Sequence, residues 1–415
     1  MSDDNSEKPA IRFAGFVDDW EQWKLESLGE FKNGMNFGKE AMGHGYPFVN
    51  LQNIFGRTIV DDSNLGLAES SDTQRKEYSL QKGDVLFIRS SVKPEGVGEA
   101  ALIPYAFENT TYSGFIIRFR PTQEIDNFFK RVLFSTKSTR SQIMASATSS
   151  ANTNINQEAL QKIRIMLPPL PEQQKIGTFF VNLNWLITLY QREYDKTVNI
   201  KKAMLEKMFP KDGADRPEIR FAGFTGAWEQ RKVGTLAELT FGGGTPTTSV
   251  VDYWTGDIPW IQSSDLTEHE VFGVEPKKYI SEKGLNASAT KLVPANSIAI
   301  ITRVGVGKLA LMPYSYTSSQ DFLSLSGLKV DGLFAVYSLF KKLQSELHQV
   351  QGTSIKGITK DELLAKMILV PQTAEQQKIG AFFSALDRLI TLREHKLQKL
   401  KSLKKAFLEK MFVSI

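Results

Sequence analysis

One stretch of this chain is written twice, and that constrains the fold more than any other feature. Residues 172–209, EQQKIGTFFVNLNWLITLYQREYDKTVNIKKAMLEKMF, return at 375–412 as EQQKIGAFFSALDRLITLREHKLQKLKSLKKAFLEKMF, aligned without a gap. In the first copy apolar residues recur in alternating steps of four and three: Ile176, Phe180, Leu183, Ile187, Tyr190 and Tyr194. Met204 and Met208 follow after polar Thr197 and Lys201. The second copy keeps the register with Ile379, Phe383, Leu386, Ile390, Leu397, Leu400, Phe407 and Met411. A mean spacing of about 3.5 residues is that of a coiled-coil seam. Each helix would be about 57 Å long, and neither could bury its stripe alone. Two equal helices in one chain are each other's nearest partners. Ordinary core helices of one large domain, or two chains joined through equal helices, are the alternatives.

A second repeat decides how the rest is arranged. Residues 9–31, PAIRFAGFVDDWEQWKLESLGEF, return at 217–239 as PEIRFAGFTGAWEQRKVGTLAEL, with Trp20 and Trp228 in register. Between the halves PKDGADRP, residues 210–217, stops the first long helix and reads as a linker. The chain thus runs tail (1–10), head (11–30), middle (31–160), central repeated region with its long helix (161–209), linker (210–217), head (218–236), middle (237–365) and distal repeated region with its long helix (366–415). The middles share a pattern and not their residues. Thus YPFVNLQNI at 46–54 matches IPWIQSSDL at 258–266, and VGEAALIP at 97–104 matches VGKLALMP at 306–313. Short β-rich runs starting at Asp84, Gly114 and Ser297, with helical patches at 124–135 and 333–350, predict an α+β domain in each middle. The repeated Trp20 and Trp228 read as core anchors. A scaffold that is kept while its loops diverge reads as two unlike readers on one frame.

The 415 residues allow several domains, and 41% hydrophobic with 23% charged residues is ordinary for a soluble globular protein. No Cys is present, so disulfides and thiolate chemistry are excluded, which suits a reducing cytoplasm. The opening MSDDNSEKPA has no apolar core, and no run is long enough to span a membrane. A soluble cytoplasmic protein is expected. Net charge is +5, with both middles nearly neutral and the second long helix basic. Net charge of this kind does not by itself imply a nucleic-acid partner.

Catalytic motifs fail one by one. Gly305-Val-Gly-Lys308 lacks a glycine at 302 and a hydroxyl residue at 309, so it reads as a turn and not a phosphate loop. His44, His269, His348 and His395 are scattered, without metal-ligand spacing. Leu167-Pro-Pro-Leu170 is not the Asn/Asp-Pro-Pro-aromatic motif of amino-methyltransferases, and there is no nucleophile elbow or dinucleotide fingerprint. The chain is expected to be no enzyme.

Taken in this order, the motifs resemble the specificity subunit of type I restriction-modification enzymes. They are the head with Phe-Ala-Gly-Phe and Trp-Glu-Gln, and Leu-Pro-Pro-Leu-Pro-Glu-Gln-Gln-Lys-Ile at 167–176 with its second version at 370–379. Gly243-Gly-Thr-Pro246, Tyr253-Trp254 and Ile258-Pro-Trp-Ile261 complete the set. The likeness covers nearly the whole chain. It departs where the second Pro-Glu-Gln-Gln element reads Thr373-Ala374-Glu375. The resemblance implies two target recognition domains related by internal pseudo-symmetry and separated by a pair of long antiparallel coiled-coil helices. Each domain would read one half of a bipartite, asymmetric site in double-stranded DNA. The helices would set the spacer and dock two adenine-methylating modification subunits, and two restriction subunits would join for cleavage. No cofactor is expected on this chain; its partners would use S-adenosylmethionine, ATP and Mg. No membrane partner is expected.

Base edges are read by Arg and Lys at guanine and by Asn and Gln at adenine, while phosphates take basic and hydroxyl side chains. On that ground the divergent polar loops supply the candidate DNA contacts. In the first domain these are Arg89, Ser90, Lys93, Lys137, Arg140, Gln142, Asn152 and Asn154. In the second they are Thr245, Thr247, Gln262, Ser263, Arg303, Lys308, Gln320, Ser354 and Lys356. The candidate seam is Ile176, Phe180, Leu183 and Ile187 against Ile379, Phe383, Leu386 and Ile390.

Overall fold

The computed structural model describes residues 8–149, 152–268, 270–349 and 357–413. Most of the expected disordered tail, 1–7, lies outside them. The chain divides into two compact units, residues 1–191 with 396–415 and residues 192–395. The two duplicated stretches form the long helices Leu170–Lys207 and Thr373–Lys410. Each unit holds the start of one long helix and the end of the other, running antiparallel. In unit 1 Phe179 meets Phe407 at 5.1 Å and Phe180 meets Phe412 at 6.0 Å; in unit 2 Phe209 meets Phe383 at 5.8 Å. Among the described residues no helix is long and apolar enough to cross a membrane.

Both units build the same four-stranded sheet and the same mixed three-stranded sheet. Unit 1 has an antiparallel four-stranded sheet in the order Gly29–Asn33, Ile116–Pro121, Val85–Ile88 and Ala100–Leu102. Unit 2 repeats it with Ala237–Gly242, Phe322–Leu328, Ser297–Ile301 and Leu309–Met312. A three-stranded sheet follows in each, Gly66–Ala68, Met42–Val49 and Thr111–Tyr112 in unit 1, and Lys278–Ile280, Ile258–Ile261 and Thr317–Ser318 in unit 2. The central strands Val85–Ile88 and Ser297–Ile301 are buried on both faces. Side chains alternate across a strand, so each strand feeds two cores. Val85 and Phe87 join Trp20, Phe129 and Phe180 in one, while Leu86 and Ile88 join Val49 and Tyr112 in another. Ile298 and Ile300 join Trp228, Phe334 and Phe383, while Ala299 and Ile301 join Ile261 and Tyr316.

The heads close the frame in both units. Strand Glu21–Lys24 pairs with Arg164–Leu167, and Glu229–Lys232 with Met367–Val370. Arg12 donates Nε and Nη2 to the two carboxylate oxygens of buried Glu172, both at 2.7 Å; Arg220 does the same to Glu375, again at 2.7 Å. Such a fork-to-fork pair fixes orientation as well as charge. Gln173 donates to the Pro168 carbonyl and accepts from Asp126 N, and Gln376 repeats this with Pro371 and Asp331. The motif residues that begin each long helix therefore lock the head on one side and a domain helix on the other. Trp20 sits edge-on to Phe129 and Phe412, and Trp228 to Phe334 and Phe209, so both are core residues. Gly177 and Gly380 permit that closeness. A Cβ at Gly177 would stand 2.5 Å from Phe129 N, and one at Gly380 would stand 2.6 Å from Leu333 Cβ.

Along the seam Ile176, Phe180, Leu183, Ile379 and Phe383 are buried, while Ile187, Leu386 and Ile390 are half-buried. The polar interruption of the seam is buried too, and it is paired. Lys201 Nζ lies 2.5 Å from Asp387 Oδ1, and Tyr337 donates to the other oxygen of Asp387. Arg393 reaches the Glu193 carbonyl at 2.7 Å and the Thr197 hydroxyl.

Candidate nucleic-acid interface

In each unit, three chain segments meet at one end of the four-stranded sheet. In unit 1 they are the loop after Val85–Ile88, the turn before Ile116–Pro121 and the segment before residue 156. Arg89 N donates to Phe115 O at 2.8 Å, and Arg89 O accepts from Ile155 N at 2.9 Å. In unit 2 Thr302 N donates to Asp321 O at 2.8 Å, and Thr302 O accepts from Ile358 N at 2.7 Å. The two arrangements match bond for bond, although hardly a residue is shared between them.

Around this point in unit 1 the structure gathers Arg89, Ser90, Lys93, Arg140, Asn152 and Asn154. Ser90–Ser91 pairs with Thr153–Asn154, and Asn154 Nδ2 donates to the Asn152 carbonyl at 2.8 Å. Arg89 is half-buried with its guanidinium toward Gly114 O, whereas Lys93 is exposed. Arg140 Nη2 holds the Glu95 carbonyl at 2.7 Å, and its buried Nη1 has no partner among the described residues. Burial lowers the Arg140 pKa, opposed by the charge of Glu99. Nη1 is closed off from solvent, so Arg140 serves to brace the loop through the Glu95 carbonyl.

Two expectations in this region are corrected. The run from Lys137 is not a loop but the helix Lys137–Ser146, because Thr136 caps it through Thr139 N and Ile143 buries one face. The helical patch expected at 124–135 is the shorter helix Asn127–Leu133, begun by the Asp126 cap. On the new helix Lys137 is exposed. Gln142 is a brace: its amide donates to Arg164 O at 2.8 Å and accepts from Arg164 N at 2.9 Å, so both ends are occupied at the edge of the head sheet.

In unit 2 a groove of about 1210 Å³ opens beside the same point, lined by Gly243, Arg303, Val304, Gln320, Thr359 and Lys360 among others. Thr245 donates to Gln320 Oε1 at 2.6 Å, tying the glycine-rich segment to the turn before Phe322–Leu328. Arg303 is exposed and Lys308 half-buried. Gln262 and Ser263 are half-buried where Ile258–Ile261 ends, with Gln262 N bound to Asp265. Thr247 is exposed and its carbonyl accepts from Trp254 Nε1 at 3.3 Å. Ser354 and Lys356 lie outside the described residues. The pattern of polar loop residues did not single out Lys360 or Gly243; only the topology brings them to the groove.

The family model described as "Type I restriction modification DNA specificity domain" matches residues 17–196 and 226–402, one match in each half. The chain is 33% identical over 191 residues to the type I restriction enzyme MjaIX specificity subunit of Methanocaldococcus jannaschii, covering 44% of this chain and 42% of that one. It is 24% identical over 403 residues to the putative MjaX specificity subunit of the same organism, covering 94% and 91%. The fold is similar to the crystal structure of the type I restriction-modification S subunit from M. genitalium, with TM-score 0.60 at 14% identity over 98% of this chain and 100% of that one. With the doubled frame and its two sheet-end clusters, these matches place the chain in the family of type I restriction-modification specificity subunits.

Proposed function

We propose that this specificity subunit reads a bipartite, asymmetric site in double-stranded DNA, one half with each sheet-end cluster, and performs no catalysis itself. The observation that supports this most is the contrast inside each repeat. The Arg–Glu forks, Gln latches and aromatic anchors are duplicated nearly atom for atom, while most polar residues at the sheet ends differ. Two unlike readers give two unlike half-sites, and the paired helices between them in sequence make a spacer of fixed length in base pairs. Each wrong base pair in a half-site would cost about 1–3 kcal/mol. The outer faces of the helices dock two modification subunits, which methylate adenine with S-adenosylmethionine. Two restriction subunits using ATP and Mg complete the cleaving complex. Linking two modest readers raises the effective concentration of the second once the first is bound.

The test is methylation mapping of genomic DNA in cells holding the modification subunits, with and without this chain. A motif of two unlike halves around a fixed gap is expected only when the chain is present. A continuous motif, or methylation independent of the chain, would overturn the reading.

A further inference from the structure

Each reader carries an exposed valine in the loop after its central strand, where turn chemistry calls for something else. Val92 is 83% exposed and Val304 is 71% exposed. They occupy the same loop of the fold, three residues after Arg89 and two after Thr302, the residues whose backbones are bonded alike in the two units. Bare turns are made by Gly, Asn, Asp, Ser and Pro, each for a backbone reason, and a β-branched side chain supplies none of them. Within the same loops a second valine is turned inward, Val97 fully buried and Val306 half-buried, each just before a glycine of positive φ, Gly98 or Gly307. One valine of each pair therefore anchors the loop, and the other is presented to solvent.

The loops hold these tips firmly. In unit 1 Gly98 N donates to Ile88 O at 2.7 Å, and Ser90–Ser91 is paired as a strand. In unit 2 Ile301 N donates to Lys308 O at 2.9 Å, and Gln344 donates to Gly307 O. Each tip adjoins an exposed cation, Lys93 after Val92 and Arg303 before Val304. An apolar group beside a positive charge matches a base edge beside a phosphate.

We propose that Val92 and Val304 are specificity-determining residues, each packing its methyl groups against the C5-methyl of a thymine in the major groove. This rests on the reading of the two clusters as DNA readers. Thymine is the base that offers an apolar group there, and contact with its methyl is a recognised means of direct readout. Wedging between base pairs is the task of longer side chains such as Phe, Leu, Ile and Met. Valine is too short for it, and its stiff χ1 suits a fixed surface contact.

The experiment uses the full chain assembled with its modification subunits, and duplexes carrying the mapped site with thymines replaced one at a time by deoxyuridine, which lacks only the methyl. One position in each half-site should weaken binding about fourfold, the factor for one buried methyl-sized group. Val304→Ala should abolish that discrimination in one half only, and Val92→Ala in the other half only. Equal affinity of the thymine and uracil duplexes for the wild-type complex would overturn the proposal, as would alanine variants that still discriminate. Arg303→Ala and Lys93→Ala separate it from the underlying reading. If they weaken site binding while uracil has no effect, only the valine contact falls; if they too change nothing, the placement of the readers falls with it.

Discussion

The four-stranded sheets of the two units share a topology but fill the same positions with opposite chemistry. In unit 1 Asp84 receives Arg120 through both carboxylate oxygens, at 2.8 and 2.6 Å, Arg118 donates to Ser79 O, and buried Lys130 donates to Gly83 O. The strand registers put Ser297, Ser324 and Ser326 at the places of Asp84, Arg118 and Arg120, and Ala335 aligns with Lys130. Unit 2 satisfies its hydroxyls locally, Ser324 from Tyr316 at 2.8 Å and Ser297 to Pro294 O at 2.6 Å. Buried ion networks and neutral packing are close to interchangeable in free energy, provided that no charge is left alone. The fold therefore leaves the sheet free to vary and fixes the frame, where both units place the same Arg–Glu fork at the same distance.

The comparison can be broken most severely at the seam, where the units are alike. Phe180→Asp and Phe383→Asp each place an unpaired charge at a fully buried position and should cost about 3–5 kcal/mol or more, to the same degree in both units. Denaturant unfolding followed by hydrogen exchange in each unit checks this, and a large effect in one unit alone would deny the equivalence. Next comes the sheet. Asp84→Ala strands Lys130 and Arg120, for a loss of about 3–5 kcal/mol, whereas Ser297→Ala should change stability by about 1 kcal/mol or less.

A smaller effect is the pH dependence that Lys130 gives unit 1, where unit 2 has Ala335 in its place. Burial lowers the Lys130 pKa from 10.5 to about 8, opposed by the charges of Asp84 and Asp126. Between those values the unfolded chain keeps a proton that the folded chain has released, so stability should rise with pH through this window, by up to about 3 kcal/mol. Buried Tyr112, whose pKa is raised by desolvation, reverses the slope above about pH 10, where unfolded tyrosines ionise. Lys130→Met should flatten the rise in unit 1 and leave unit 2 unchanged, as read by hydrogen exchange across the pH range. The smallest effect lies in the coil. Unit 2 pairs Lys201 with Asp387, but the aligned residues of unit 1 are Lys404 and Asn184, and burial alone lowers the Lys404 pKa. Asn184→Asp should stabilise unit 1 by about 1 kcal/mol, and the gain should vanish in combination with Lys404→Met.

Much of the architecture was legible because repetition leaves a mark that no local override erases. The long helices, the heads and the strands near residues 85, 116 and 297 fall close to where periodicity and turn residues put them. Less was legible where one residue type serves two ends. Gln142 has the chemistry of an adenine reader but braces a strand edge, since a side-chain amide fits a backbone as well as a base. The run from Lys137 looked like a polar loop because its helix is short and buries only one face. The partners of Glu172 and Glu375 were hidden by sequence distance, although Arg12 and Arg220 stood in plain view within the repeated head. Thr197 and Lys201 looked like breaks in the seam, and their partners on the other helix turn them into part of it.

The central claim is that two unlike readers on one frame each choose half of the site. Replacing residues 237–365 with a second copy of residues 31–160, in the enzyme assembled with its modification subunits, tests it through the map of methylated adenines. The account predicts a symmetric motif, with the unit 1 half-site in both halves and the second half-site gone. Persistence of the original asymmetric motif would contradict it.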